Sequence, residues 1–269
     1  YLYGSILTAI QYWKARDKKI IVDFDQAFNY LNEDKLGYSF WYEGIQLADL
    51  DIEGSSIIDP PPIEQFKWGL AMVDAATVSS VRLVDDWSRF TTVHKVLDYI
   101  NTHHYPASQQ EHGDEIWIGP GSRVDYDCFE KSGLLAAMEN ICCKYPRVRL
   151  VLPGMGKESL AMNINPKQLK ICPPSRFEDW VDILLNLDIG LMPISGEYDL
   201  RLGSYDLLEF MISKIPWIAS EESTFRNLSQ YGQWVPNTSF AWENTILDTM
   251  EKLDAHQRNA VREPFLFAL

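Results

Sequence analysis

Long hydrophobic runs are missing from this chain. No segment of about 18 consecutive apolar residues occurs, so no membrane-spanning helix is expected. Basic residues are scarce: Lys and Arg total 24 against 38 Asp and Glu, a formal net charge of −14. That balance argues against nonspecific nucleic-acid binding, which needs a basic face to displace counterions. It argues equally against a polybasic hold on anionic lipid. Cysteine is sparse, and Cys128, Cys142, Cys143 and Cys172 show no C-x-x-C spacing. Buried thiols in a reducing, cytoplasmic setting are the expectation. The chain also lacks an initial Met and a signal-peptide pattern, and starts Tyr1-Leu2-Tyr3-Gly4. That opening reads as the interior of a fold, so upstream residues are expected.

What is present is globular material. With 46% hydrophobic residues the chain can bury a core, which excludes whole-chain disorder. Its 269 residues suit one large domain or two ordinary ones. No internal repeat stands out.

Short apolar runs alternate with segments of helical period. Tyr3 to Lys14 reads as a helix, Ile20–Phe24 as a strand, and Phe66–Ala76 as a helix running into a strand at Thr77–Ser80. Val81–Phe90 is expected to be helical and Val96–Ile100 extended. The polar stretch Ala107–Gly113 is the best linker candidate. Beyond it, strands are expected at Glu115–Ile118, Val148–Leu152, Lys170–Cys172, Ile189–Pro193 and Trp217–Ala219. One helix is expected from about Phe129 to Tyr145-Pro146, with others at Phe177–Leu187, Tyr205–Ser213, Ser223–Ser229 and Trp242–Leu253. Such alternation means βα units and mainly parallel sheets with helices on both faces.

Open α/β sheets bind ligands outside the carboxyl ends of their strands. Three loops qualify: Gly119–Asp127, Pro153–Lys157 and Ser195–Ser204. The first carries Arg123. The third carries Arg201 and leads into a helix, whose free N–H groups suit a phosphate. An arginine beside it adds charge-assisted bonds to the same oxygens.

The text of this half is distinctive. Asp188-Ile189-Gly190-Leu191-Met192-Pro193 is followed by Leu208-Glu209-Phe210-Met211 and Ile215-Pro216-Trp217-Ile218-Ala219-Ser220. It resembles the nucleotide-sugar-binding half of GT-B fold glycosyltransferases, in particular the large retaining group called family four. Trp117-Ile118-Gly119-Pro120-Gly121-Ser122 is similar to the strand that opens that domain. Ile21-Val22-Asp23-Phe24-Asp25 and Asp74-Ala75-Ala76-Thr77-Val78-Ser79-Ser80 look like two strands of the first domain. The resemblance covers most of residues 19–253, strongly in 115–235.

It implies an α/β protein with two Rossmann-like domains facing across a cleft, the first incomplete. The boundaries read as 1–110 for the acceptor-side domain and 114–269 for the nucleotide-sugar domain. It implies a nucleotide-sugar donor, a carbohydrate or other hydroxyl acceptor, and no cofactor or metal. Glu209 sits where the family's glutamate takes the donor ribose, since one carboxylate can accept two hydroxyls. Arg201 and the Gly203-Ser204 backbone would face the diphosphate and stabilise developing charge. Gly119, Gly121 and Ser122 would let the opposite loop approach closely, with Arg123 as a further cation.

This chain departs from the pattern in three places. Arg201 occupies the first glutamate of the family's glutamate–seven residues–glutamate motif. Asp206 stands where relatives often carry Lys, and a carboxylate there would repel phosphate if it faced the site. The first domain's opening strand and glycine-rich loop, with its catalytic His, have no counterpart, so no catalytic residue is assigned and an upstream segment or partner chain is expected to complete that domain.

Other features have plainer readings. Asp23-x-Asp25 and Asp49-x-Asp51 mimic a metal-binding D-x-D but read better as solvated or capping carboxylates. His103, His104 and His112 lack metal-ligand spacing and read as loop histidines. The sequons at Asn227 and Asn237 carry little weight without a secretory signal. Arg201 could also simply pair with Asp199 or Glu197. The sequence therefore points to retaining transfer of a hexose from a nucleoside-diphosphate sugar to a hydroxyl. Its rivals are a GT-B-derived binding or structural subunit without catalysis and, last, a nucleotide-sugar epimerase.

Overall fold

The computed structural model describes residues 2–31, 33, 37–46, 56–105, 112–124, 126–154, 161–172, 177–222, 225, 228 and 230–254. The linker candidate, apart from His112 and Gly113, lies outside them, as do Asp49-x-Asp51 and most of the helix expected at Ser223–Ser229. The chain forms two compact units: Tyr1–Asp98 with Gly196–Gly203, and Tyr99–Ser195 with Ser204–Leu269.

In the first unit the elements run α1 (Ser5–Lys14), β1 (Ile21–Asp23), α2 (Tyr38–Glu43), β2 (Ile45–Gln46), β3 (Ser56–Ile57), α3 (Pro62–Met72), β4 (Ala75–Val78), α4 (Val81–Trp87) and β5 (Val93–Lys95). Strands β1, β4 and β5 make a parallel sheet in that order, with Ile21 beside Ala75 and Ala76 beside Val93. β1 is an edge strand among the described residues, and its Ile21 is 65% exposed. The core is aromatic. Phe66 packs edge-on against Phe24, Trp41 and Trp87, while Phe28 stacks on Trp41 at 4.0 Å. Such pairs add about 0.5–1.5 kcal/mol each beyond their buried area.

Two sequence expectations shift here. The helix expected over Phe66–Ala76 ends at Met72, because Val73 turns to extended backbone before β4. Ser80 then caps α4, its hydroxyl accepting the Leu83 N–H at 3.3 Å. The strand expected at Val96–Ile100 lies earlier, at Val93–Lys95, where pairing with Ala76–Val78 fixes its register. Leu97 and Tyr99 are 58% and 80% exposed, so apolar content there did not mean burial.

The second unit contains β6 (Ile116–Pro120), α5 (Tyr126–Lys131), α6 (Leu134–Lys144), β7 (Val148–Pro153), β8 (Leu169–Cys172), α7 (Phe177–Leu185), β9 (Ile189–Met192), α8 (Tyr205–Ile212), β10 (Trp217–Ser220), β11 (Gln233–Val235) and α9 (Ser239–Asp254). Its six strands form one parallel sheet in the order β11-β10-β9-β6-β7-β8. β6 and β9 carry apolar residues almost throughout, as strands covered on both faces require. Met138, Ile141 and Cys142 of α6 share a core with Trp242, Ile246 and Met250 of α9.

The single helix expected from Phe129 is two helices. Gly133 breaks it with φ +79°, a left-handed conformation that a side chain adopts with strain. A Cβ there would also lie 2.7 Å from the Ser239 nitrogen, so α9 leaves no room for one. The four cysteines are free thiols, but only Cys128 and Cys142 are buried; Cys143 is exposed and Cys172 half-buried. No helix among the described residues is long and apolar enough to cross a membrane.

Candidate functional site

The strand order of the second sheet locates the site. Chain order runs outward from β6 through β7 to β8, then restarts beside β6 with β9 and runs the other way. In such sheets the connections leave neighbouring strands toward opposite faces. A crevice opens outside the carboxyl ends of the two strands where the order reverses. Here those strands are β6 and β9. The Gly121 N–H donates to the Leu191 carbonyl at 3.1 Å, tying the loop after β6 to β9.

That loop meets the first turn of α8. Asp206 is buried (2% exposed), and its two oxygens take different donors. The Ser122 hydroxyl lies 3.3 Å from Oδ1, and Arg123 Nε lies 3.1 Å from Oδ2. Gly121 explains the closeness: a Cβ at that position would sit 2.6 Å from the Asp206 carboxylate. The departure at position 206 is therefore a carboxylate matched by Arg123. Sequence reading noticed Asp206 and missed its partner.

Glu209 lies three residues further along α8, on the same face as Asp206. It is 1% exposed. Tyr105 donates its hydroxyl to Oε1 at 2.7 Å, and Trp180 on α7 points Nε1 at both oxygens, 3.0 Å from each. Burial pushes the Glu209 carboxyl up to about 7. The Tyr105 and Trp180 hydrogen bonds pull the other way, and the nearby Asp206 charge adds to the rise. Tyr105 is raised as well, chiefly by burial, then by hydrogen bonds with Tyr205 and Glu209. Neither Tyr105 nor Trp180 was singled out from sequence. The only signal for Trp180 was an indole within an apolar helix, where a buried N–H needs an acceptor.

Around these residues the strand ends are fixed by side chains. Ser220, at the end of β10, accepts the Ile194 N–H at 2.9 Å and donates to Asn237 at 2.7 Å. Asn237 Nδ2 returns to the Ile194 carbonyl at 2.8 Å. Gly119 lies inside β6, and Ser204 precedes α8.

Arg201 and Gly203 fold with the first unit. The Arg201 guanidinium is bidentate on Asp86, with Nε 2.5 Å and Nη2 3.2 Å from its oxygens, and Nη1 reaches Glu197 at 2.6 Å. It stacks 3.5 Å from the Tyr30 ring centroid, and Ser80 donates to its carbonyl at 2.8 Å. Burial opposes its charge, but the Asp86 and Glu197 bonds outweigh it and raise its pKa. Gly203 packs against Asp98, leaving no space for a Cβ. The structure thus brings Gly121, Ser122 and Arg123 together with Asp206, and holds Arg201 on α4.

Other candidates have structural partners. His112 stacks on Trp117 with ring centroids 4.0 Å apart, and its Nε2 meets the Asn186 carbonyl. Asp23 accepts the Thr77 hydroxyl. Among the described residues no group of three or more His, Cys, Asp or Glu is arranged to hold a metal.

No protein-family model and no curated protein sequence matches this chain. Solved structures do. HepE from Anabaena, solved with UDP and glucose, aligns with a TM-score of 0.60 at 10% identity, over 97% of this chain and 71% of that one. Sucrose-phosphate synthase from Thermosynechococcus elongatus aligns at 0.54 and 14% identity, over 96% and 67%. An α,α-trehalose 6-phosphate synthase from Burkholderia multivorans aligns at 0.54 and 12% identity, over 98% and 65%. At such identities the likeness is one of fold, and the fold is that of the GT-B glycosyltransferases.

Proposed function

We propose that this chain carries the donor half of a retaining glycosyltransferase, which moves a hexose from a nucleoside-diphosphate sugar to an acceptor hydroxyl. One observation carries the reading. The second sheet reverses its order between β6 and β9, where the Gly121–Arg123 loop meets the start of α8. That juxtaposition suits a diphosphate, which backbone N–H groups, a helix N-terminus and an arginine can hold together.

In this reading Ser122, Arg123 and the Gly121 and Ser204 backbone face the diphosphate. They stabilise the charge that grows on the leaving group as the glycosidic bond breaks. The reading assigns that work to these groups and not to a metal. Glu209 takes the ribose. Its three present donor contacts leave acceptor capacity on Oε2, and a second ribose hydroxyl replaces Tyr105 on Oε1. Arg201, held by Asp86 and Glu197, leaves the phosphate role to Arg123.

A second reading keeps the fold and drops the chemistry. Both cations named for the diphosphate are paired with carboxylates, Arg123 with Asp206 and Arg201 with Asp86 and Glu197. A binding or structural subunit would tolerate that neutralisation. Calorimetry with UDP, GDP and ADP separates the two. Binding of at least one is expected, weakened in Glu209→Ala by about 1.5–3 kcal/mol, the value of hydrogen bonds to a charged group. Absence of binding by all three supports the non-catalytic reading.

A further inference from the structure

Glu209 is buried, yet a ribose can take its carboxylate only by touching it. A group that covers it must therefore give way. Among the described residues two side chains donate to this carboxylate. Trp180 holds Nε1 3.0 Å from both oxygens, and the Tyr105 hydroxyl lies 2.7 Å from Oε1. The two stand on different supports.

Trp180 belongs to α7, whose Val181, Leu184 and Leu185 are buried beside it. Withdrawing the indole would disturb that close packing. Tyr105 is the buried end of a surface segment, in which Asn101, Thr102, His103 and His104 are exposed. Bonds within the segment close its single 3₁₀ turn. The Asn101 side chain accepts the His103 N–H at 3.2 Å, and the Asn101 and Thr102 carbonyls accept the His104 and Tyr105 N–H groups at 3.1 and 3.2 Å. Short solvent-facing segments of this kind open locally at low cost.

The exchange is chemically even. When Tyr105 leaves, a ribose hydroxyl donates to Oε1 in its place, so the carboxylate keeps its donors and the tyrosine hydroxyl passes to water. Tyr205, the first residue of α8, links this event to the phosphate side. Its hydroxyl lies 3.5 Å from that of Tyr105, and the Arg123 guanidinium lies 5.6 Å from its ring centroid.

We infer that residues 99–105 form a strap whose Tyr105 plugs the nucleotide site, that a nucleotide displaces it, and that Trp180 stays as the positioning residue of Glu209. The inference rests on the ribose role proposed above for Glu209. A plugged site lowers apparent affinity by the fraction of time it stands open. Freeing it tightens binding without adding a contact to the ligand.

The test compares the whole chain with Tyr105→Phe, Tyr105→Ala and Trp180→Phe, circular dichroism verifying that each folds. Calorimetry with UDP, GDP and ADP is run well above the Glu209 midpoint of about 7, so that the carboxylate is charged. Tyr105→Phe is expected to bind the preferred nucleotide about tenfold more tightly than the parent, and Tyr105→Ala at least as tightly as Tyr105→Phe. Trp180→Phe is expected to bind it about tenfold more weakly. That loss should be absent for the dideoxy analogue, which lacks both ribose hydroxyls. Hydrogen exchange adds a readout that a purely structural tyrosine would not give. Nucleotide should speed exchange of the His103, His104 and Tyr105 amides, whereas an ordinary ligand contact slows it.

Nucleotide binding by the parent that neither tyrosine variant tightens, or that slows those amides, overturns the strap and leaves the ribose reading standing. An equal loss for both ligands in Trp180→Phe overturns its positioning role. Binding by none of the four chains removes the ribose reading and the strap with it. Binding that emerges only in Tyr105→Ala supports both.

Discussion

Arg123 and Asp206 meet at 3.1 Å across 83 residues of sequence, and the pair joins the loop after β6 to the first turn of α8. Asp206 is the buried partner, with 2% of its side chain exposed against 21% for Arg123. The same carboxylate holds Ser122 and fills the space a Gly121 side chain would need. It organises the loop and neutralises its cation at once.

Stability and donor affinity are therefore expected to move in opposite directions in Asp206→Asn. Loss of the charged partner should lower unfolding free energy by about 1–3 kcal/mol, measured in urea. Nucleoside diphosphate should bind more tightly, because Arg123 is released and a negative charge is gone. Weaker UDP binding in the folded variant would mean that Asp206 positions Arg123 for the phosphate instead of competing with it.

Gly121→Ala tests the packing directly. Its Cβ would stand 2.6 Å from Asp206, and the clash should cost about 1–3 kcal/mol. The combined Gly121→Ala, Asp206→Ala chain should lose less than the sum of the single variants, since the second change removes the obstacle. Additive losses in thermal unfolding would show that the two residues do not compete for space.

Glu209 gives a pH signature. Its carboxyl is raised from 4.5 to about 7 in the folded chain, mainly by burial. The folded state then holds that proton more tightly than the unfolded state. This contribution to stability is complete below about pH 4.5 and is lost as pH climbs through 7. Glu209→Gln removes the titration, so its stability relative to the parent should rise across that window by on the order of 3 kcal/mol. A pH-independent difference between the two chains would place Glu209 in the ordinary carboxylate range.

Tyr105 and Trp180 extend the same test. Trp180 donates to both Glu209 oxygens, so its emission should report ionisation of that carboxyl near pH 7. Tyr105→Phe removes a hydrogen bond that favours the charged form and should move the midpoint upward. A midpoint unchanged by this substitution counts against the Tyr105 contact.

Arg201 is expected to matter for the first unit's stability. Arg201→Met strands the mostly buried Asp86 without its cation, whereas the exposed Glu197 keeps Arg82 at 3.7 Å, and breaking a buried pair such as Arg201–Asp86 costs about 3–5 kcal/mol. Arg201→Lys should restore only part of it, because lysine cannot make the bidentate contact. Hydrogen exchange should localise the loss to residues around α4. UDP affinity that collapses while exchange is unchanged would return Arg201 to the phosphate role.

Some of this was readable in the amino-acid order. Five of the six parallel strands described in the second sheet fall within a few residues of the strands expected from the amino-acid order, and β11 (Gln233–Val235) was not among those expected. The runs of β6, β7, β9 and β10 are short, bounded by Pro, Gly or polar residues, and mostly buried, so local composition and final position agree there, whereas Lys170 and Ile171 of β8 are exposed. Agreement fails where burial is decided from elsewhere. Leu97 and Tyr99 are apolar yet exposed, because β4 sets the register of β5 three residues earlier. Gly133 splits an otherwise continuous helical pattern because α9 occupies the space beside it.

The sequence by itself determined the chemistry available near the strand ends: glycines, an arginine after β6, a helix starting after β9, and carboxylates at 206 and 209. Tertiary structure decided who answers whom. Arg123 faces Asp206, Tyr105 reaches Glu209 from 104 residues away, and Arg201 turns to Asp86 from 115. Local pattern fixes strands and helices through burial period and turn residues, which act over a few positions. Charge partners are chosen by which elements the folded sheet brings together, and a buried ion takes its counter-ion wherever packing supplies it.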